Sequence, residues 1–349
     1  MTPSSTSRPT KIPYAKRTLR SPTAIIHLEY DPVTLEPVPS PEEWTRFVCI
    51  SDTHSRNFDV PPGDVLLHSG DLTKEGRKEE FVKTMEWLYA LPHKVKIIIA
   101  GNHDLTLDDD FCKNNPDRKY FGVDELLKIK DMLKGRRAKA ARIAYLDNEE
   151  YTFQIQEGRR TWSVYGSPWS AAFFNWAFNY ERGEEAASAS TFNSSIPNYT
   201  YNLTHGPAFG IFDRILNGDL VGCEDLLARL SDLRPRIHVA GHIHEAHGAH
   251  IHTWDPGSNY APPRVQNDED EQSSTEDLGL TIQGEDGGSA ANSSADDPSP
   301  VEQTVFVNAA NYPSGKKSWR GLHRVPFAGP GFQPVIVDLK DVYIPRSGL

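Results

Sequence analysis

An α/β fold is predicted by three observations. Short apolar runs bounded by turn residues recur along the chain, with helical-period segments between several of them. Five of the runs are followed at once by residues rich in Asp, Asn and His. The part of the chain able to pack, about 260 residues, suits one domain.

In chain order, "FVCIS" at 47–51, "VLLHSG" at 65–70 and "VKIIIAG" at 95–101 read as buried strands. Between them "GRKEEFVKTMEWLYALP" places Phe81, Val82, Met85, Leu88 and Tyr89 on one helical face, and Pro92 ends the helix. "VDELLKIKDML" is a second helix. Strands follow near 151–156, 162–166, 200–204 and 236–240, with a helix at about 223–232 before the last. "TVFVNAA" and "FQPVIVDL" complete the series as two more strands.

Composition limits what else the 349 residues can do. No apolar run approaches the roughly 18 residues of a membrane helix, and no secretory signal is visible at the N-terminus. Three scattered cysteines without a CxxC fit a reducing compartment. The sequons at Asn193, Asn198, Asn202 and Asn292 are therefore expected to be silent. Residues 1–42 are expected to form a flexible tail. Its first 28 residues are basic, and they leave a mitochondrial address open beside the expected cytoplasmic one. From about 255 to 303 the chain turns acidic and polar, with eleven acids between Asp268 and Glu302 and no Lys or Arg. Such a stretch cannot bury enough apolar surface to offset its ordering entropy, so a disordered insertion is expected there, open to a protein partner. It accounts for the whole formal charge of −11, so the remainder nets to zero. That excludes a broad basic face for nucleic acid. The folded domain is thus expected over 43–345, interrupted by the insertion.

The polar residues after the strands carry the chemistry. Asp52-Thr53-His54 follows the first strand, Asp71 the second, Asn102-His103-Asp104 the third, His205 the strand at 200–204, and His242-Ile243-His244 the strand at 236–240. In open α/β sheets ligands gather at the carboxyl ends of strands, so these groups can converge although far apart in sequence. Seven donors, Asp52, His54, Asp71, Asn102, His205, His242 and His244, exceed what one catalytic metal takes. With one bridging carboxylate they suit two divalent ions. Imidazole with carboxylate and amide oxygen, and no thiolate, fits Mn, Fe, Zn or Co, with Mn favoured. Each piece alone is an ordinary turn motif; the ordered recurrence after strands is the specific signal. The stretch "HVAGHIHEAHGAHIH" holds six of the thirteen histidines. His238 reads as a core group, and His247, His250 and His252 as exposed strand or rim residues.

The ordered motifs "DTH", "GD", "GNHD", "THGP" and "GHIH" resemble the calcineurin-like metallophosphoesterase superfamily. "GSPWS", "FNWAFNYERG", "GCEDLL" and "VNAAN" narrow the likeness to its metallophosphoesterase-domain-containing branch, related to class III cyclic-nucleotide phosphodiesterases. The resemblance implies a four-layer αββα sandwich of two mixed sheets flanked by helices. It implies Asp52, His54 and His244 on one metal, Asn102, His205 and His242 on the other, and Asp71 bridging. A metal-bridging hydroxide would be the nucleophile. His103 would serve the leaving oxygen as a catalytic residue, with Asp104 orienting it.

A small phosphodiester, such as a cyclic nucleotide, is the expected substrate. "GDLTKEG" lacks the arginine with which protein Ser/Thr phosphatases grip a monoester. Trp169 and Asn308 are the expected substrate contacts, against the plainer readings of core aromatic and turn residue. A catalytically weak protein-interaction scaffold of the same fold and a metal-dependent nuclease are the competing readings.

Overall fold

A computed structural model describes residues 14–118, 122–182, 201–254 and 302–341; the acidic insertion expected at about 255–303 lies almost wholly outside them. Two sheets organise the chain. The first has seven strands in the order β1 (Arg17–Arg20), β2 (Ala24–Glu29), β17 (Val335–Lys340), β3 (Trp44–Ile50), β4 (Val65–His68), β5 (Val95–Ile99) and β6 (Ile143–Leu146). Strands β3 to β6 run parallel, while β1, β2 and β17 pair antiparallel. The second has six, in the order β13 (Gly248–Thr253), β14 (Gln303–Asn308), β12 (Ile237–Ala240), β11 (Tyr201–Thr204), β8 (Trp162–Ser167) and β7 (Glu149–Phe153). Here β14, β12, β11 and β8 are parallel and the two edge strands antiparallel. Short ribbons, β9 (Ser170–Ala171) with β10 (Asn179–Tyr180) and β15 (Trp319–Arg320) with β16 (His323–Arg324), lie outside the sheets.

Strand alternation explains the layers. In β3, Phe47 and Cys49 face the second sheet, and Val48 and Ile50 face helices. Both faces are buried, which is why the run is apolar throughout rather than alternating. Between the sheets Ile26, Phe47, Leu67 and Ile97 meet Trp162, Leu203, Val239 and Val307. Outside the first sheet lie α1 (Lys78–Ala90) and α3 (Val123–Lys134), with the short α2 (Asp109–Asn114) and α4 (Arg136–Ala140) beside them. Outside the second lies α5 (Glu224–Leu233), which buries Leu226, Leu227 and Leu230 beside Phe306. The architecture is the four-layer αββα sandwich.

Helix α1 starts where Glu80 accepts the Arg77 amide (3.0 Å) and ends at Leu91, before Pro92. It buries Phe81, Met85 and Leu88 fully, each worth about 1.5–3 kcal/mol over exposure. Val82, expected on that face, is 41% exposed; Thr84 takes its place, its hydroxyl donating to the Leu72 carbonyl.

The expected flexible tail needs correction. Residues 17–29 form β1 and β2, because Ala24, Ile26 and Leu28 alternate into the core between the sheets. Residues 1–13 lie outside the described part. His247 is also corrected: it is 3% exposed and packs on Phe332.

Candidate metal centre

Parallel β3, β4 and β5 end side by side in one sheet, and parallel β11 and β12 in the other. Their carboxyl ends meet across the sandwich. Asp52 and His54 leave β3, Asp71 leaves β4, Asn102 leaves β5, His205 leaves β11, and His242 and His244 leave β12. The turns are sharp: φ is 56° at Asp52, 45° at His54, 55° at Asp71 and 66° at His242. Asp and His tolerate the left-handed region better than most residues, and it still costs about 1–3 kcal/mol each. Backbone bonds hold the turns, with the Asp52 amide on Gly70 (3.0 Å) and the His54 amide on Asp71 (3.0 Å). The glycines of the motifs are close-approach positions. A Cβ on Gly241 would lie 2.0 Å from Ser51 Oγ, and one on Gly101 2.4 Å from Asp71 Oδ1.

All seven donors are drawn together. Donor atoms of Asp52, His54 and His244 lie within 4.8 Å of one another, as do those of Asp52, Asp71 and His205, and of His54, Asp71 and His103. Asn102 Oδ1 is 2.9 Å from His205 Nε2 and 2.8 Å from His242 Nδ1. His244 Nε2 is 3.1 Å from Asp52 Oδ1. The His242 amide donates to the Asp52 carboxylate (3.1 Å), tying one sheet to the other.

Ring orientation tests whether this set fits cations. His54 Nδ1 faces the Thr73 carbonyl (3.1 Å) and His205 Nδ1 faces that of Ser69 (2.8 Å). Each Nδ1 must then carry the proton, which leaves Nε2 with a bare lone pair. Those two nitrogens point at the two oxygens of Asp71, His205 at 3.4 Å from Oδ1 and His54 at 3.7 Å from Oδ2. Lone pairs aimed at a carboxylate repel unless a positive charge lies between them. The donors therefore fit divalent cations.

Electrostatics agree. Burial drives His54 well below the ordinary imidazole range, lowers His205 and takes His242 down to about 3, so the rings are neutral and able to ligate. Burial opposes ionisation of Asp52, but the His244 contact and the nearby His205 and His54 outweigh it and hold this carboxyl low. Burial raises Asp71 and the charge of Asp52 adds to it, against the pull of His103. Two bound cations would remove that conflict between neighbouring carboxylates.

His103 lies at the rim, its amide on Asp71 Oδ1 (2.9 Å) and its Nδ1 against the Lys74 carbonyl (2.7 Å). Asp104 does not orient it. Its carboxylate is fully buried and accepts the amides of Leu72, Thr73 and Gly101 and the Thr73 hydroxyl. It clamps the loops after β4 and β5 instead. Burial raises its pKa to about 6 against those four bonds. Trp169 is corrected too: it packs edge-on to Phe178 (5.9 Å) among core side chains. Asn308 is 1% exposed, donates to the carbonyls of Ile243 (2.9 Å) and Phe212 (3.1 Å), and accepts from Ala310. It braces the turn that carries His242 and His244.

A cleft of ≈ 790 Å³ opens over Asp71, Asn102, His103, His242 and His244. Its far wall is apolar: Phe173, Trp176, Ile215, Leu216 and Val221. Trp176 lies over the His103 ring, 4.1 Å between centres. In the sequence it stands only inside the motif "FNWAFNYERG", with nothing to single it out. Tyr312, stacked on His244 at 5.1 Å, had no signal beyond its position after "VNAAN".

A family model described as calcineurin-like phosphoesterase matches residues 45–246. The chain belongs to that family. Its members hydrolyse phosphoric esters, and the clustered Asp and His residues fit the family's dinuclear divalent centre. Metallophosphoesterase domain-containing protein 1 of Homo sapiens is 38% identical over 223 residues, 62% of this chain and 66% of that protein. The Caenorhabditis elegans protein named UPF0046 protein T07D4.2 is 36% identical over 222 residues, 60% of this chain and 54% of that one. The chain thus spans just under two thirds of the human relative's length. Phosphopantetheinyl hydrolase from Mycobacterium tuberculosis aligns with 62% of this chain and 87% of its own, at 13% identity and a TM-score of 0.38, too distant to bear on chemistry. Among the described residues, no helix is long and apolar enough to cross a membrane.

Proposed function

We propose that the chain is a dinuclear metal-dependent phosphodiesterase acting on small diesters, cyclic nucleotides among them. The carrying observation is the pair of carbonyl-locked rings, His54 and His205, that present bare nitrogens to the two oxygens of Asp71. In this reading Asp52, His54 and His244 hold one ion, Asn102, His205 and His242 the second, and Asp71 both, with Mn favoured. The bound ions supply Lewis acidity and lower the pKa of water at neutral pH.

The remaining steps belong to the chain. The turns fix the donors before substrate arrives, so little reorganisation is needed. His103, exposed to the cleft beside Asp71, is placed to hand a proton or hydrogen bond to the leaving oxygen. The apolar wall of Phe173, Leu216 and Val221 excludes water from one side and can cover a flat leaving group.

Charge favours a diester over a monoester. Arg182 is the cation among the cleft-lining residues, against Glu181 and Glu245, and its guanidinium already donates to the Val221 carbonyl. A singly charged diester suits that wall better than a dianionic monoester, and the described lining residues offer a nucleic-acid backbone no basic track. The test is hydrolysis of an aryl phosphodiester and the matching monoester with Mn. Faster diester turnover is expected; a monoester preference overturns the diesterase reading.

A further inference from the structure

A second cleft, of ≈ 600 Å³, lies between the edge strands of the two sheets, formed by β1, β2, the start of β13 and the 315–320 turn. Its character differs from the first. Among the described residues Arg17, Lys316, Lys317 and Arg320 line it, against the acid Glu29. Glu29 is already engaged: Arg320 donates to it at 2.6 Å. Among the described lining residues basic side chains outnumber acids, with Arg17 and Lys317 also engaged in further interactions, whereas the metal cleft sets Arg182 against Glu181 and Glu245. Gly331, at φ +82°, leaves room for Arg320, since a Cβ there would sit 3.3 Å from its Nη2.

His247 provides an independent sign of a ligand. It lines this cleft at 3% exposure. Its Nδ1 faces the Ala310 carbonyl at 2.9 Å and so carries the proton. Its Nε2 is then an acceptor, buried and without a hydrogen-bond partner. Leaving such an atom unsatisfied costs about 1–3 kcal/mol. What would satisfy it is a donor, and the cations of the cleft that His247 borders call for an anion.

We propose that this cleft is a metal-independent binding site for hydrogen phosphate. Lysine and arginine donate to phosphate oxygens, and the P–OH that hydrogen phosphate keeps at neutral pH donates to His247 Nε2. Sulfate matches the cations but has no proton to give. A carboxylate is likewise an acceptor alone when ionised. The site thus prefers phosphate over sulfate, and His247 makes the distinction while the cations supply the attraction. The proposal stands apart from the proposed hydrolysis, because none of these residues lines the metal cleft.

Equilibrium dialysis of the full chain, metal-loaded, with radiolabelled phosphate tests it. One equivalent beyond any at the metal centre is expected, and sulfate should compete at least tenfold more weakly for that equivalent. The double substitution Lys316→Glu/Lys317→Glu, at exposed or half-buried positions, should remove it while aryl phosphodiester turnover is unchanged. His247→Leu should keep anion binding but bring phosphate and sulfate to equal affinity. An unchanged phosphate count in the double variant, or equal competition by sulfate in the unaltered chain, overturns the proposal.

Discussion

The imidazole of His103 lies over the indole of Trp176, ring centres 4.1 Å apart and planes inclined by 33°. A second restraint, the Lys74 carbonyl, accepts from Nδ1 at 2.7 Å, so Nε2 is the nitrogen left to serve the leaving oxygen, as a donor when the ring carries both protons. Trp176→Ala removes the platform and lets the ring swing. Turnover should fall about tenfold, as expected for a misplaced general acid, with metal content unchanged. Trp176→Phe should recover most of it. Retained turnover and an unaltered pH–rate profile in the alanine variant would show that the stacking is only packing.

Asp71→Ala should remove both metal and activity. Its two oxygens are the shared target of His54 and His205, so neither ion would keep its site. A loss of at least about a thousandfold is expected, with bound metal by atomic emission falling below one equivalent. A variant still holding two equivalents would exclude the bridging role.

Acid should unfold this protein early. Burial pushes His68, His238 and His247 each down to about 3, whereas in the unfolded chain they titrate near 6.5. Below pH 6.5 the unfolded state binds more protons, so stability falls as pH falls until the folded rings themselves protonate near pH 3. Each ring contributes about 1.4 kcal/mol per pH unit, roughly 4 together. Neither ring nitrogen of His238 has a hydrogen-bond partner, so His238→Leu should remove that ring's own share of the slope, about 1.4 kcal/mol per pH unit, without new strain. Urea midpoints at pH 7.5 and 5.5 would reveal it; equal midpoints in the unaltered chain contradict the account.

Asn308→Ala separates bracing from binding. The side chain is spent on the Phe212 and Ile243 carbonyls and the Ala310 amide. Its removal should cost about 1–3 kcal/mol of stability and leave KM for a small diester unchanged at temperatures where the fold holds. A rise in KM with unchanged melting would restore a substrate contact.

Asp104→Asn makes the same separation one loop away. Four donors converge on a buried carboxylate, and an amide can accept with one oxygen only. Stability should drop by about 2–3 kcal/mol, and the pH–rate profile should keep its shape in the folded fraction, read by calorimetry beside turnover.

The sequence by itself determined the strands with two buried faces, the order of the motifs and the seven donors. Each of these is a local pattern: apolar runs such as "FVCIS", and Asp, Asn or His placed directly after them. Tertiary structure decided what those patterns could not carry. Strands β1 and β2 were hidden in a basic stretch because their apolar alternation is short and matters only against β17 and the second sheet. The roles of Asp104, Asn308 and Trp169 depend on which carbonyls, amides and rings stand around them, and those come from loops distant in the chain. Trp176 and Tyr312 touch histidines 73 and 68 positions away. Residue type and spacing can say that a donor set exists; only packing says which atoms face it, because a hydrogen bond or ring contact is decided within a few tenths of an ångström.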